Sequence, residues 1–123
     1  MAIEEIQVSD WEGKVLGSPQ IVVIDFWHNK CIWCKKLEPI YSDASEKFTD
    51  IKFMKLNILE SDENNAFALG KGVLSTPTLK FFCNGIELGE SIGFKDSEAL
   101  AKEIERIKGE AKSCQEASTK IGK

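Results

Sequence analysis

Long apolar runs are missing from this sequence. No stretch approaches the roughly 20 residues that a bilayer-spanning helix needs, so none is expected. A basic excess is missing too. Lys and Arg number 16 against 20 Asp and Glu, for a net charge of −4, which gives no sign of a nucleic-acid surface. Met1 to Asp10 holds two Glu and no Lys or Arg, so it does not read as a secretory signal. The expectation is therefore a cytoplasmic protein. Repeats and low-complexity tracts are absent, as are nucleotide and flavin motifs, so no cofactor is expected. Cysteines are few and scattered, at 31, 34, 83 and 114, which argues against a disulfide scaffold. No second C-x-x-C or Cys/His pair completes a four-ligand zinc site, although His28 with the cysteines keeps that alternative open.

What remains is ordinary for a globular domain: 123 residues, 42% apolar and 29% charged. That length buries a core without staples. Residues 3–8 suit a short strand, and Ser9 and Asp10 offer caps for a short helix through Leu16. Gln20 to Trp27 reads QIVVIDFW, a strand covered on both faces that carries an unexpected acid at Asp25. Helical spacing follows from Ile32 to Phe48, interrupted by Pro39, where a kink is expected. Trp33 falls either on the core face of that helix or on an exposed contact surface.

Residues 51–58 form the next strand. Ser61, with Asp62 and Glu63 behind it, starts a helix that Gly70 and Gly72 stop. Residues 78–83 and 86–92 are a hairpin around Asn84-Gly85. Asp96 caps a last helix with an apolar face of Leu100, Ile104 and Ile107, ending near Gly109. The domain is therefore set at residues 1–109, and 110–123 read as a polar tail or helix extension. Cys83 is expected to be a small buried hydrophobe, and Cys114 a spare thiol. Strand–helix alternation followed by a hairpin implies one α/β sheet flanked by helices.

The chemistry centres on Cys31 and Cys34, at a strand-to-helix junction. Free N–H groups and the dipole at a helix start stabilise a thiolate, which is the reactive form. Lys30 adds a positive charge beside it. A second thiol one turn on is within disulfide reach, so an exposed attacker and a sheltered resolver are expected. An acid inside an apolar strand resists ionisation, so Asp25 should titrate near neutrality and suit proton transfer.

The segment VIDFWHNKCIWCKKLEP resembles the active-site segment of the thioredoxin family. The resemblance continues at Lys55-Leu56-Asn57, at Ser75-Thr76-Pro77-Thr78-Leu79, at Asn84-Gly85 and at Gly93, and covers roughly residues 5–108. It implies a thioredoxin fold: a mixed five-stranded sheet of order 1-3-2-4-5 flanked by four helices. It implies that Cys31 is the nucleophile and Cys34 the resolving thiol. Asp25 would be the buried proton carrier and Lys55 the lysine that pairs with it. Trp27, Ile32, Trp33, Thr76, Pro77 and Gly93 would form the substrate-binding surface. Pro77 would be a cis-proline, Thr76 would pair with a substrate backbone, and Gly93 would relieve crowding. The implied activity is reduction of protein disulfides by a monomer that a separate disulfide reductase recharges, in electron transport and cell redox homeostasis. Ile32-Trp33 stands where the family usually has Gly-Pro, and Lys30 where it has Trp. This leaves an oxidase or isomerase, or a non-catalytic binding module, as alternatives.

Overall fold

The computed structural model describes residues 3–121, with side chains described through residue 111. Strand β1 (Ile3–Glu5) is followed by a 3-10 turn (Val8–Asp10) and a π-helical turn (Glu12–Leu16). Then come β2 (Ile21–Trp27), α1 (Ile32–Lys47), β3 (Ile51–Asn57), α2 (Asp62–Gly70), β4 (Thr78–Cys83), β5 (Ile86–Ile92) and α3 (Ser97–Ile121). The sheet order is β1-β3-β2-β4-β5, with β1 and β2 parallel to β3, and β4 antiparallel to both β2 and β5.

Local chemistry sets most boundaries. The Ser61 hydroxyl accepts the Asn64 N–H at 3.0 Å, and Asp96 accepts that of Ala99 at 2.9 Å, so both caps stand where the sequence puts them. Asn84 and Gly85 both take positive φ, 52° and 79°, as a tight hairpin demands. Two boundaries differ from expectation. β1 ends at Glu5, because Asp10 reaches back to accept the Gln7 N–H at 2.9 Å and winds Val8–Asp10 into a 3-10 turn. α3 runs through Gly109, since a single glycine costs only about 1 kcal/mol and the next turn buries Ala111 completely. Cys83 is fully buried at the end of β4. The Cys114 side chain, expected to be a spare thiol, lies outside the described residues.

Alternation along β2 divides the core. Val22, Ile24 and Phe26 join Trp11, Met54 and Phe82 on one face. Ile21 and Val23 face α1 and α3 on the other, against Leu37, Tyr41, Leu100 and Ile104. Asp25 follows in the same register, so it lies under α1. Tyr41 locks α1 to the sheet. Its hydroxyl lies 2.7 Å from the Met54 carbonyl and 3.2 Å from that of Val23, and burial holds its pKa well above the ordinary value, so it stays a donor. Tyr41→Phe is expected to destabilise the fold by about 1–2 kcal/mol in urea titration. An unchanged midpoint would remove the hydroxyl from this account.

Candidate functional site

Two β-strand ends and a helix start meet at one edge of the sheet. β2 delivers Asp25 and Trp27, and the chain turns at His28-Asn29-Lys30 into α1. Cys31 is the N-cap of α1, with extended φ and ψ of −95° and 109°. Its Sγ accepts the Cys34 N–H at 3.1 Å, one of the free donors of the first turn. Sulfur at this position is what the helix terminus stabilises as an anion. Cys31 and Cys34 are bonded to each other, with Cα atoms 5.2 Å apart. Exposure is 9% for Cys31 and 4% for Cys34. The expected contrast between an open attacker and a sheltered resolver is therefore slight in the bonded state.

Asp25 lies one layer down, 2% exposed. Burial raises its pKa from 3.8 to about 7; Lys55 pulls it down, and Glu5 and Glu38 push it up. Its Oδ1 has no hydrogen-bond partner among the described residues. Asp25, Cys34, Glu5, Glu38 and Lys55 all line one open cavity of about 550 Å³. That volume leaves room for water between the carboxyl and the second thiol.

Lys55 departs from expectation. Register sets it opposite Asp25, yet among the described ion pairs its ammonium joins Glu38, at 3.5 Å, and not Asp25. It also lies 4.2 Å from the centre of the Trp27 ring. The physical reason is hydration. Burial favours the neutral form of Asp25 and so weakens its hold on the ammonium, while Glu38 at the cavity mouth lets the ammonium stay near water. Glu5 completes the group. It accepts the Trp27 indole N–H at 3.2 Å, and burial raises its own pKa.

β4 and β5 lie on the other side of β2 from β3. Thr78 pairs with Phe26 on one side and Ile92 on the other, which brings the preceding Thr76-Pro77 bond to the same sheet end as Trp27. That bond is cis, Pro77 is buried and Thr76 is half-buried. Gly93 donates its N–H to the Pro77 carbonyl at 2.8 Å. A Cβ at Gly93 would meet nothing within 4 Å, so crowding is not its reason; its φ of +86° is. Phe94 follows and packs on Trp33, with ring centroids 5.4 Å apart. Trp33 is 53% exposed and Ile32 66%, so Trp33 faces solvent and does not lie on the core face of α1.

The structure thus gathers Trp27, Cys31, Ile32, Trp33, Cys34, Asp25 and Lys55 at the start of α1, with Thr76, Pro77 and Gly93 at the same sheet end. It adds Glu5, Glu38 and Phe94, which sequence reading passed over. Glu38 carried a signal, being four residues beyond Cys34 on one helix. Glu5 carried none, because its meeting with Trp27 depends on strand order. Among the described residues, no group of three or more His, Cys, Asp or Glu is placed to hold a metal.

The sequence matches the family model "Thioredoxin" over residues 2–106. It is 35% identical over 106 residues to "Thioredoxin M-type, chloroplastic" of Brassica napus, covering 85% of this chain and 58% of that one. It is 33% identical over 99 residues to "Thioredoxin" of Rickettsia prowazekii (strain Madrid E), covering 80% of this chain and 91% of that one. It is 32% identical over 81 residues to "Thioredoxin" of Mycoplasma genitalium, covering 66% and 76%. The chain spans 58% and 62% of the length of two chloroplast relatives, those of Brassica napus and Pisum sativum.

Proposed function

The chain belongs to the thioredoxin family, and from that premise we propose that it is a thiol–disulfide oxidoreductase that reduces protein disulfides. One observation carries the reading: two cysteines bonded across the first turn of α1, the first at its N-cap. In the reduced chain, the Cys31 thiolate attacks one sulfur of a substrate disulfide. A mixed disulfide forms, and the other substrate sulfur leaves as a thiolate. Cys34 then loses its proton to Asp25 through the cavity and attacks the Cys31 sulfur. The Cys31–Cys34 disulfide forms, and the substrate departs as a dithiol with two electrons gained.

Lys55, shared between Glu38 and the Trp27 ring, adjusts how readily Asp25 takes that proton. Thr76 offers backbone to an extended substrate segment, and Trp27, Ile32, Trp33, Pro77 and Gly93 shape the surface around it. The unit is residues 1–109, with 110–123 as its extension. It acts as a monomer in the cytoplasm without a bound cofactor, and a separate disulfide reductase returns it to the dithiol. In this role it serves electron transport and cell redox homeostasis.

The Cys34→Ser variant tests the sequence of steps. Mixed with insulin, it is expected to accumulate a covalent adduct through Cys31, visible by mass spectrometry and released by dithiothreitol. Absence of that adduct would sink the two-step mechanism. The second reading, an oxidase or isomerase of more oxidising poise, rests on Ile32-Trp33 between the thiols, because the intervening residues bear on the thiolate. Equilibration with a glutathione series separates reductant from oxidase or isomerase.

A further inference from the structure

Large apolar side chains concentrate around the disulfide. Of nine exposed ones among the described residues, Ile32, Trp33, Ile92 and Phe94 belong to this rim. Trp33 and Phe94 come from different parts of the chain and pack on each other, yet remain 53% and 37% exposed. Two rings in contact that stay half open form a seat for a third apolar group.

The charge around this seat runs against that of the whole molecule. Lys36 places its ammonium 5.0 Å from the centre of the Trp33 ring. Lys95 follows Phe94 and donates to the Ile92 carbonyl at 3.2 Å. Lys30 stands exposed beside Cys31. The first turn of α1 holds no acid. Asp96 is close in sequence, but its Oδ1 accepts the Ala99 N–H as the cap of α3. Glu38 is turned to Lys55 in the cavity. Lys36 and Lys95 therefore stand at the Trp33–Phe94 seat and Lys30 next to Cys31 in the chain, on a protein whose net charge is −4.

We propose that this face selects substrate segments in which the attacked half-cystine is flanked by a large apolar or aromatic residue and by Asp or Glu. The apolar neighbour docks on the Trp33–Phe94 pair, and the acids meet Lys30, Lys36 and Lys95. The proposal rests on the oxidoreductase reading and adds the substrate class to it. Charge complementarity acts mainly on the rate of encounter, so the selection weakens as salt rises.

The test uses the reduced full chain and three peptide disulfides matched in length. One carries Phe and two Glu beside the cystine, the second Phe and two Lys, the third Ser and two Glu. The first is expected to show kcat/KM about tenfold above each of the others at low salt. The gap between the Glu and Lys peptides should close at 0.5 M salt, while the gap between Phe and Ser persists. The double variant Lys36→Glu/Lys95→Glu should reverse the preference between the Glu and Lys peptides. Equal rates for all three peptides overturn the proposed selectivity and leave the oxidoreductase reading standing. No reduction of any peptide, nor of a small aromatic disulfide, overturns both.

Discussion

Cys31→Ser is expected to abolish insulin reduction, lowering kcat/KM on the order of 10⁴-fold or more. Serine keeps the size and the N-cap geometry of cysteine but is far less acidic, so a helix start cannot make it an anion near pH 7. Removing a nucleophile leaves little for the remaining groups to act on, which is why the loss is so large. Cys34 cannot substitute, because it is set inside the first turn of α1 and not at its N-cap. The fold should persist, because the serine hydroxyl can still accept the Cys34 N–H. Turbidity of insulin read beside a thermal melt checks both. A folded variant with near-normal reduction would remove Cys31 from the mechanism.

The second large effect concerns Asp25 and stability. Its folded pKa is about 7 against an ordinary 3.8. Between those values the unfolded chain has released its proton while the folded chain still holds it. The folded state then binds more protons, so stability falls as pH rises from about 4 to about 7 and levels off above. The total loss is up to about 4 kcal/mol for the disulfide form. Asp25→Asn removes this dependence. At pH 8 the variant should be more stable by about 2–4 kcal/mol, with a melting temperature higher on the order of 10 °C.

Burial also raises the pKa of Glu5, so a fall in stability with rising pH that survives in Asp25→Asn is expected from that carboxyl. The same substitution removes the proton acceptor for Cys34. Release of substrate from the mixed disulfide should slow about tenfold to a hundredfold near pH 7. Urea titrations from pH 4 to pH 8, paired with single-turnover kinetics, measure both. Parallel stability curves for the two proteins would show that Asp25 does not carry the buried proton.

A stabilising substitution that slows the chemistry has a simple origin. The carboxyl is buried where it can exchange a proton with a sheltered thiol, and burial is unfavourable to its charged form. Lys55 moderates this without a direct ion pair, because it is shared between Glu38 and the face of Trp27.

Much of this was legible in the residues alone. Ser61 and Asp96 cap their helices, Asn84-Gly85 turns the hairpin, and β4 and β5 run over residues 78–83 and 86–92 on either side of it, as read. The cysteine pair was readable at its junction, and Asp25 as an acid out of place. Each depends on neighbours within a few residues, where spacing and backbone chemistry act directly. The partner of Lys55, the bond from Trp27 to Glu5 and the packing of Phe94 on Trp33 were not readable. They join residues separated by 17, 22 and 61 positions, through contacts made once sheet order and register bring those segments together. Local pattern determined which groups the chain has and in which elements they stand. Strand pairing and the balance between hydration and burial decided which of them touch.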